Sequence, residues 1–289
     1  MENLMRTELC DDYGFLELQN VILNIAKDID ILCEQNNIQY CLMGGSALGA
    51  KRHGGFIPWD DDLDFFMTPD NYEKFRDVFN QEGDKNKYYI QELGAAGGRI
   101  ITAKVRLNNS YYEEEILKNW NIHHGIYIDI FILHVCPENK IKRYWQYFWA
   151  KYLIIKGLAN KNYNRRGRFI NTFIKCVGIV LPKRFLLGYG LKQIYRFRNE
   201  HSNFLCNYLG KALMKSGTYQ KKYFEGVKRV PFETITLNAP IRIEDFLKDR
   251  FGDYMKPPSA ERIKYEQHSS TWNLNPCVYT NLSDEKYLF

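Results

Sequence analysis

From Phe15 to Asn36 the residues Leu18, Val21, Ile22, Ile25, Ile29 and Leu32 recur at helical spacing. This predicts a long amphipathic helix that ends at Asn36-Asn37, packed through its apolar stripe on a strand over Ile38 to Met43. A short helix follows over Ser46 to His53. Asp62-Leu63-Asp64-Phe65 then alternates polar and apolar, the period of a half-buried strand with both carboxylates on one face. Thr68-Pro69 opens a further helix with proline at its first position, carried to Gln81 by Tyr72, Phe75, Val78 and Phe79. Lys87 to Leu93 and Ile100 to Leu107 read as strands joined by a Gly- and Ala-rich link. Asn108 to Trp120, with Glu113-Glu114-Glu115, reads as a solvated turn with a helix or hairpin. Gly125 to Ile132 is an apolar run with one acid, Asp129, in its middle, and predicts a buried strand.

Beyond Pro137 the character changes. Residues 137–218 are rich in Lys, Arg and aromatics, mostly at helical spacing, and Pro182 opens a further helix. Phe169 to Leu181 is either a core helix or one lying in a membrane interface. Strand-like pattern returns over Val227 to Leu237. A helix follows over Ile241 to Phe251, closed by Gly252, and Asp253 to Pro258 runs extended. These shifts divide the chain into a core, residues 1–136 and 219–289, and a basic, aromatic-rich helical subdomain, residues 137–218. The tail around His268 and Trp272 gives no clear pattern.

Composition narrows the class. The chain has 289 residues, 45% of them hydrophobic and 26% charged, enough for a real core. A net charge of +6 suits anionic substrates or an anionic membrane face. Aromatics make up 15%, which serves core packing or walls that hold a sugar, a base or a quaternary ammonium. No arginine-rich helix or aromatic sheet motif points to nucleic acid. Seven scattered cysteines with no C-x-x-C pair suggest reduced, partly buried thiols in a cytosolic protein. The N-terminus lacks a signal-peptide core, and no apolar run reaches the ~18 residues of a membrane span. The expected location is cytoplasmic, with peripheral contact at the inner face of the membrane as an extension.

The candidate chemistry lies between Cys41 and Met67. Four aspartates, Asp60, Asp61, Asp62 and Asp64, fall within five positions. Such a run repels itself unless it is solvated or a cation neutralises it, and its apolar flanks argue against simple solvation. Carboxylates about 7 Å apart on one strand face suit a hard divalent cation. Upstream, an apolar run ends in Gly44-Gly45-Ser46, a tight turn into a helix start with Ser46 as candidate cap; small residues there let backbone N–H groups approach a phosphate. Asp129 needs a partner in its buried strand. A metal shared with Asp62 and Asp64 would supply one, and a local hydrogen bond or a salt bridge to Lys104 or Arg106 is the alternative. Those two bases share one face of their strand, either to contact phosphate or as a solvated edge. Arg52 is a candidate phosphate ligand, and His53 a group that orients a carboxylate, or both offset the aspartates.

These residues carry a resemblance. Gly44-Gly45-Ser46-Ala47-Leu48-Gly49-Ala50, then Arg52 through Asp64, resembles the signature of the LicD family. So do Ile128-Asp129-Ile130-Phe131 and Phe251-Gly252-Asp253-Tyr254-Met255-Lys256-Pro257-Pro258. The match spans residues 15 to 262, with 137 to 218 similar only in general character. Gly45-Ser46 stands where the family often has Gly-Thr, which keeps the small turn and the hydroxyl.

The resemblance, shared with fukutin-type proteins, implies an α/β (α+β) architecture: a nucleotidyltransferase-like mixed sheet flanked by helices, with a helical subdomain. It implies transfer of a phospho-alcohol, typically phosphocholine from CDP-choline, onto a glycan or lipid-linked sugar acceptor. In that fold Asp62, Asp64 and Asp129 are the catalytic acids and ligands of Mg²⁺, with Mn²⁺ as a substitute. Asp129 is base, ligand or both. Gly44, Gly45, Ser46, Arg52, His53, Lys104 and Arg106 would border the donor, and Trp59 could face a trimethylammonium, worth about 0.5–2 kcal/mol. Asp60 and Asp61 would tune the site or cap the turn. Alternatives are another CDP-activated alcohol (ethanolamine, glycerol or ribitol), transfer of the nucleotide itself to a small molecule or protein, and a non-enzymatic nucleotide-binding assembly role.

Overall fold

The computed structural model describes residues 11, 13–94, 102–114, 121–159, 183–210, 214–259, 263 and 269–274. The Gly/Ala link between the two early strands is largely outside these residues, as are the segment Phe169 to Leu181 and His268.

Helices and mixed sheets alternate along the chain, as the α/β reading requires. The described residues cluster into two compact units. One is drawn from Met1–Ile90, Lys104–Ile130 and Lys222–Leu282, the other from Gln91–Ala103 and Phe131–Lys221.

In the first unit, helix α1 (Leu16–Gln35) buries Leu18, Ile22, Ile25 and Ile29 of the predicted stripe together with Ala26, while Val21 and Leu32 are half-buried. The chain continues through β1 (Cys41–Leu42), α2 (Gly44–Arg52), β2 (Asp64–Met67), α3 (Pro69–Glu82), β3 (Tyr88–Gln91), β4 (Ala103–Leu107), β5 (Tyr111–Glu114) and β6 (Tyr127–Ile132). Thr68 caps α3, its hydroxyl accepting from the Asn71 amide, and Pro69 takes the first turn as expected. A five-stranded sheet runs β1-β2-β6-β4-β3. β1 and β2 are antiparallel, with Cys41 opposite Phe66 and Leu42 opposite Phe65. Phe65, Phe66, Val105, Ile128 and Ile130 are almost wholly buried. Each such side chain contributes roughly 1.5–3 kcal/mol of transfer free energy. The sheet is therefore the rigid floor on which any site at its strand ends would rest.

Three features sharpen or depart from the sequence reading. The strand pattern of Val227 to Leu237 resolves into two strands: β10 (Val227–Phe232) and β11 (Ile235–Pro240) form an antiparallel hairpin that turns at Glu233, whose φ is +52°. The hairpin is tied to α1 by Arg229, whose guanidinium makes a forked pair with Asp30 at 2.6 and 2.8 Å. Helix α6 (Ile243–Phe251) follows and ends at Gly252, φ +68°. Secondly, the acidic stretch after Asn108 contains a real strand, β5, paired with β12 (Ser269–Asn273).

The third departure lies in the second unit. Besides helices α4 (Lys140–Ala159) and α5 (Lys183–Tyr195) it holds a three-stranded sheet, β7 (His134–Val135), β8 (Phe204–Cys206) and β9 (Thr218–Gln220). Strands of two or three residues are too short to show a period, so β8 is hidden within the helical pattern of 137–218, and β7 and β9 at its borders. Cys136, Ala150, Leu153, Ile194, Cys206 and Tyr208 form the core of this unit. Cys33, Cys41, Cys136 and Cys206 are buried free thiols. No helix among the described residues is long and apolar enough to cross a membrane.

Candidate active site

Strand β1 ends at Leu42, and the chain turns at once into α2 through Gly44, whose φ of +47° suits glycine. The helix starts at Gly44 with Met43 as its N-cap residue, so Ser46 is not the cap. Instead, Ser46 Oγ accepts from the Asp64 amide at 2.9 Å. On the other side the Asp64 carbonyl accepts from the Met43 amide at 3.0 Å. The glycine corner and the first residue of β2 are thus stitched together in both directions. Gly49 makes the next close approach, because a Cβ there would run into the Gly55 carbonyl. This lets the loop 54–59 fold back over α2.

That loop leads into the aspartates, and three side chains from elsewhere hold it. Gln19 of α1 donates to the carbonyls of Ile57 (3.2 Å) and Asp60 (2.8 Å). The Glu233 carboxylate accepts from the Phe56 amide at 2.9 Å, while the Glu233 amide donates to the Gly54 carbonyl at 2.7 Å. Arg52, at the end of α2, donates to the Tyr254 carbonyl at 2.9 Å and to His53 Nε2 at 2.9 Å. Its guanidinium also lies 6.0 Å from the centre of the Trp59 ring. Trp59 is buried, edge-on to Tyr13 and His53. So Arg52, His53 and Trp59 form one packed group, joined to the segment after α6 that carries Tyr254.

Asp62 does not share a strand with Asp64: β2 begins at Asp64, and Asp62 sits in the irregular run before it. The Asp129 amide donates to the Leu63 carbonyl at 3.0 Å, which sets β6 beside the start of β2. Asp64 is strongly perturbed. Burial, then the charges of Asp62, Asp129 and Asp60, push its carboxyl well above the usual range, with Lys104 partly offsetting them. Asp60, Asp62 and Asp129 therefore all bear electrostatically on Asp64. Asp60, Asp61 and Asp62 each place an oxygen within 4.8 Å of the others. A Cβ on Gly45 would stand 3.0 Å from Asp60 Oδ2, so one carboxylate lies against the glycine corner itself.

Lys104 and Arg106 are not a solvated edge. Lys104 is 3% exposed and Arg106 wholly buried, because their strand lies inside the sheet between β6 and β3. Lys104 Nζ donates to Asp129 Oδ2 at 2.9 Å and lies 2.8 Å from Oδ1, too poorly aligned there for a second hydrogen bond. The salt bridge that the sequence offered as the alternative partner for Asp129 is therefore present. Glu114 completes the group, 3.3 Å from Lys104 and 2.9 Å from Arg106, which also donates to the Gly125 carbonyl at 3.0 Å. Lys104 Nζ sits 3.3 Å from the centre of the Tyr127 ring. Burial would raise the Glu114 carboxyl, but Lys104 and Arg106 outweigh it and hold it at about 2.

Gln19, Glu114 and Glu233 are supporting residues that sequence reasoning missed. Gln19 is a polar residue one position from Leu18 on a buried helix face. Glu114 shares a strand face with Tyr112, which is buried beside Asp61 and Asp62. That period-2 pair was the available signal.

Whether a divalent metal fits can be judged from Asp64. Its Oδ1 is enclosed and has no hydrogen-bond partner. An anionic oxygen buried this way costs several kcal/mol, which a cation would relieve. Just before Asp64 in the chain, Asp60, Asp61 and Asp62 bring carboxylate oxygens within 4.8 Å of one another, the donor type favoured by Mg²⁺ or Mn²⁺. The residues present fit such an ion.

Residues 37–156 match the family described as LicD/FKTN/FKRP, nucleotidyltransferase domain. The chain is 32% identical to the lipopolysaccharide cholinephosphotransferase LicD of Haemophilus influenzae, over 86% of this chain and 94% of that protein. An uncharacterised protein of Rickettsia typhi is 37% identical over 24% of this chain and 24% of its own. One of Rickettsia prowazekii is 49% identical over 15% of this chain and 16% of its own.

Proposed function

The chain belongs to the LicD family, and we propose that it is a metal-dependent phosphotransferase that moves phosphocholine from CDP-choline onto a hydroxyl of a lipopolysaccharide-type glycan. The observation that carries the substrate reading is the near full-length similarity to a lipopolysaccharide cholinephosphotransferase.

In this reading an acceptor hydroxyl attacks the phosphorus of the phosphocholine group. The new P–O bond forms, the pyrophosphate P–O bond breaks, CMP leaves, and the proton of the hydroxyl passes to a carboxylate of the acidic cluster. Such transfers need positioning and charge neutralisation more than covalent help from the protein. Asp62 and Asp64, with Asp60 beside them, are the residues that would hold Mg²⁺; bound there, the ion would neutralise donor phosphate charge. The amides of Gly44 and Gly45, at the start of α2, offer donors and the positive end of the helix dipole to an anion. Ser46 holds Asp64 in place rather than touching the donor. Arg52, His53 and Trp59 form the wall that anchors the aspartate loop. Four buried free cysteines suit a reducing, cytoplasmic compartment.

The test is release of CMP from CDP-choline in the presence of Mg²⁺ and a lipopolysaccharide acceptor, compared with CDP-ethanolamine, CDP-glycerol and CDP-ribitol. CMP release with CDP-choline supports the reading, and its absence with every donor rejects it. The family description favours a second reading, nucleotide transfer. Product mass separates the two, since the acceptor would gain a nucleotide instead of phosphocholine.

A further inference from the structure

The four charged groups Lys104, Arg106, Glu114 and Asp129 balance one another, two cations against two anions, in a patch where Lys104, Arg106 and Asp129 are each at least nine-tenths buried. From this we propose that Lys104 is a built-in cation of the site. It occupies the position at Asp129 where a second metal ion would otherwise sit, so the acidic cluster takes one divalent ion on the Asp60–Asp64 side. Glu114 is the positioning residue that keeps Lys104 there. The inference rests on the phosphotransferase reading for its purpose, but not for its test.

The geometry leaves Lys104 little freedom. Its ammonium is held between both oxygens of Asp129, at 2.8 and 2.9 Å, with Glu114 at 3.3 Å and the Tyr127 ring at 3.3 Å. Buried side chains surround it, so swinging outward would strip its partners and leave Asp129 unpaired, a strongly unfavourable exchange. Arg106 fixes Glu114 from the other side at 2.9 Å and is itself anchored on the Gly125 carbonyl. Asp129 already has its counter-charge. Neither Asp129 Oδ1 nor Asp64 Oδ1 has a hydrogen bond, but the Asp129 oxygen has the Lys104 ammonium 2.8 Å away and the Asp64 oxygen has no ion pair among the described residues, so the demand for a cation lies at Asp64. A resident ammonium beside a single metal would supply fixed positive charge next to the donor phosphates. It would also leave Asp129 held in one orientation between the Leu63 carbonyl, to which its amide donates, and Lys104.

The experiment counts Mn²⁺ bound to the full-length chain by electron paramagnetic resonance, without donor or acceptor. One ion per chain is expected; two ions, or none, would overturn the proposal. The double variant Lys104→Met with Asp129→Asn removes the pair together, which for a buried pair is often close to neutral, so its Mn²⁺ affinity should stay within roughly threefold of wild type. Loss of the ion in that variant would make Asp129 a metal ligand and sink the idea. Its melting curve is recorded in parallel, and if it fails to fold the wild-type count decides alone. One bound ion without CMP release rejects the phosphotransferase reading and leaves this one intact. Two bound ions with CMP release do the reverse.

Discussion

The amide of Asp64 donates to the hydroxyl of Ser46 at 2.9 Å, so the small residue of the glycine corner positions an acid whose carboxyl is pushed well above the usual range by burial and its acidic neighbours. Ser46 is 5% exposed, and water cannot readily replace it. Ser46→Ala should therefore destabilise the protein by about 1–3 kcal/mol, the cost of leaving a buried donor unsatisfied. Urea unfolding measures this. A change under a few tenths of a kcal/mol would show that the stitch is dispensable.

Asp64 also sets the response to metal. Its neighbours Asp62, Asp129 and Asp60 repel its charge in the metal-free protein. Mg²⁺ should raise the melting temperature of the wild type, by an amount equivalent to about 2.7 kcal/mol at a hundred times the dissociation constant. Asp64→Asn should melt higher than wild type without metal and lose most of the Mg²⁺ response. An undiminished shift in that variant would place the ion elsewhere.

Glu114 predicts an acid-sensitive contribution. Its folded carboxyl is held at about 2, below the ordinary 4.5, by Lys104 and Arg106 acting against burial. The stability it contributes is fully present above pH 4.5 and is lost as pH falls toward 2. Glu114→Gln should lower stability at neutral pH by about 3 kcal/mol, since a buried ion pair is broken from one side. It should also flatten the pH dependence between 4.5 and 2. Unchanged acid unfolding would remove Glu114 from the account.

His134, in the second unit, is wholly buried with neither ring nitrogen hydrogen-bonded, and stands edge-on to Tyr195 at 4.7 Å. Burial lowers its pKa from 6.5 to about 3. The unfolded chain binds the proton first, so stability is full above pH 6.5 and falls as pH drops toward 3, by up to about 1.4 kcal/mol per pH unit. His134→Leu should weaken that dependence. The pH profile of the melting temperature, wild type against variant, checks it.

Much of this site is legible in the sequence. The stripe of α1, the proline start of α3, the glycine corner and the clustering of Asp62, Asp64 and Asp129 follow from spacing and from the cost of buried charge. What the sequence hides has physical reasons. The alternation Asp62-Leu63-Asp64-Phe65 suggests a strand that starts two residues too early, at Asp62 instead of Asp64, because period alone cannot tell a strand from an extended approach to one. Lys104 and Arg106 share a strand face, as read. Their burial could not be foreseen, since it depends on β6 and on Glu114, which the tertiary fold brings beside them. Within Glu113-Glu114-Glu115 nothing local says which acid turns inward. Pairing of β5 with β12, more than a hundred residues on in the chain, orders that stretch as a strand.

The most direct test of the central claim is the mass of the acceptor glycan after incubation with CDP-choline and Mg²⁺, for the wild type and for Asp62→Asn and Asp64→Asn. The account predicts that the wild type adds one phosphocholine, that chelation of the metal stops it, and that both variants remain folded but lose most of this product. An acceptor that gains no phosphocholine, or variants that modify it at near wild-type rates, would contradict it.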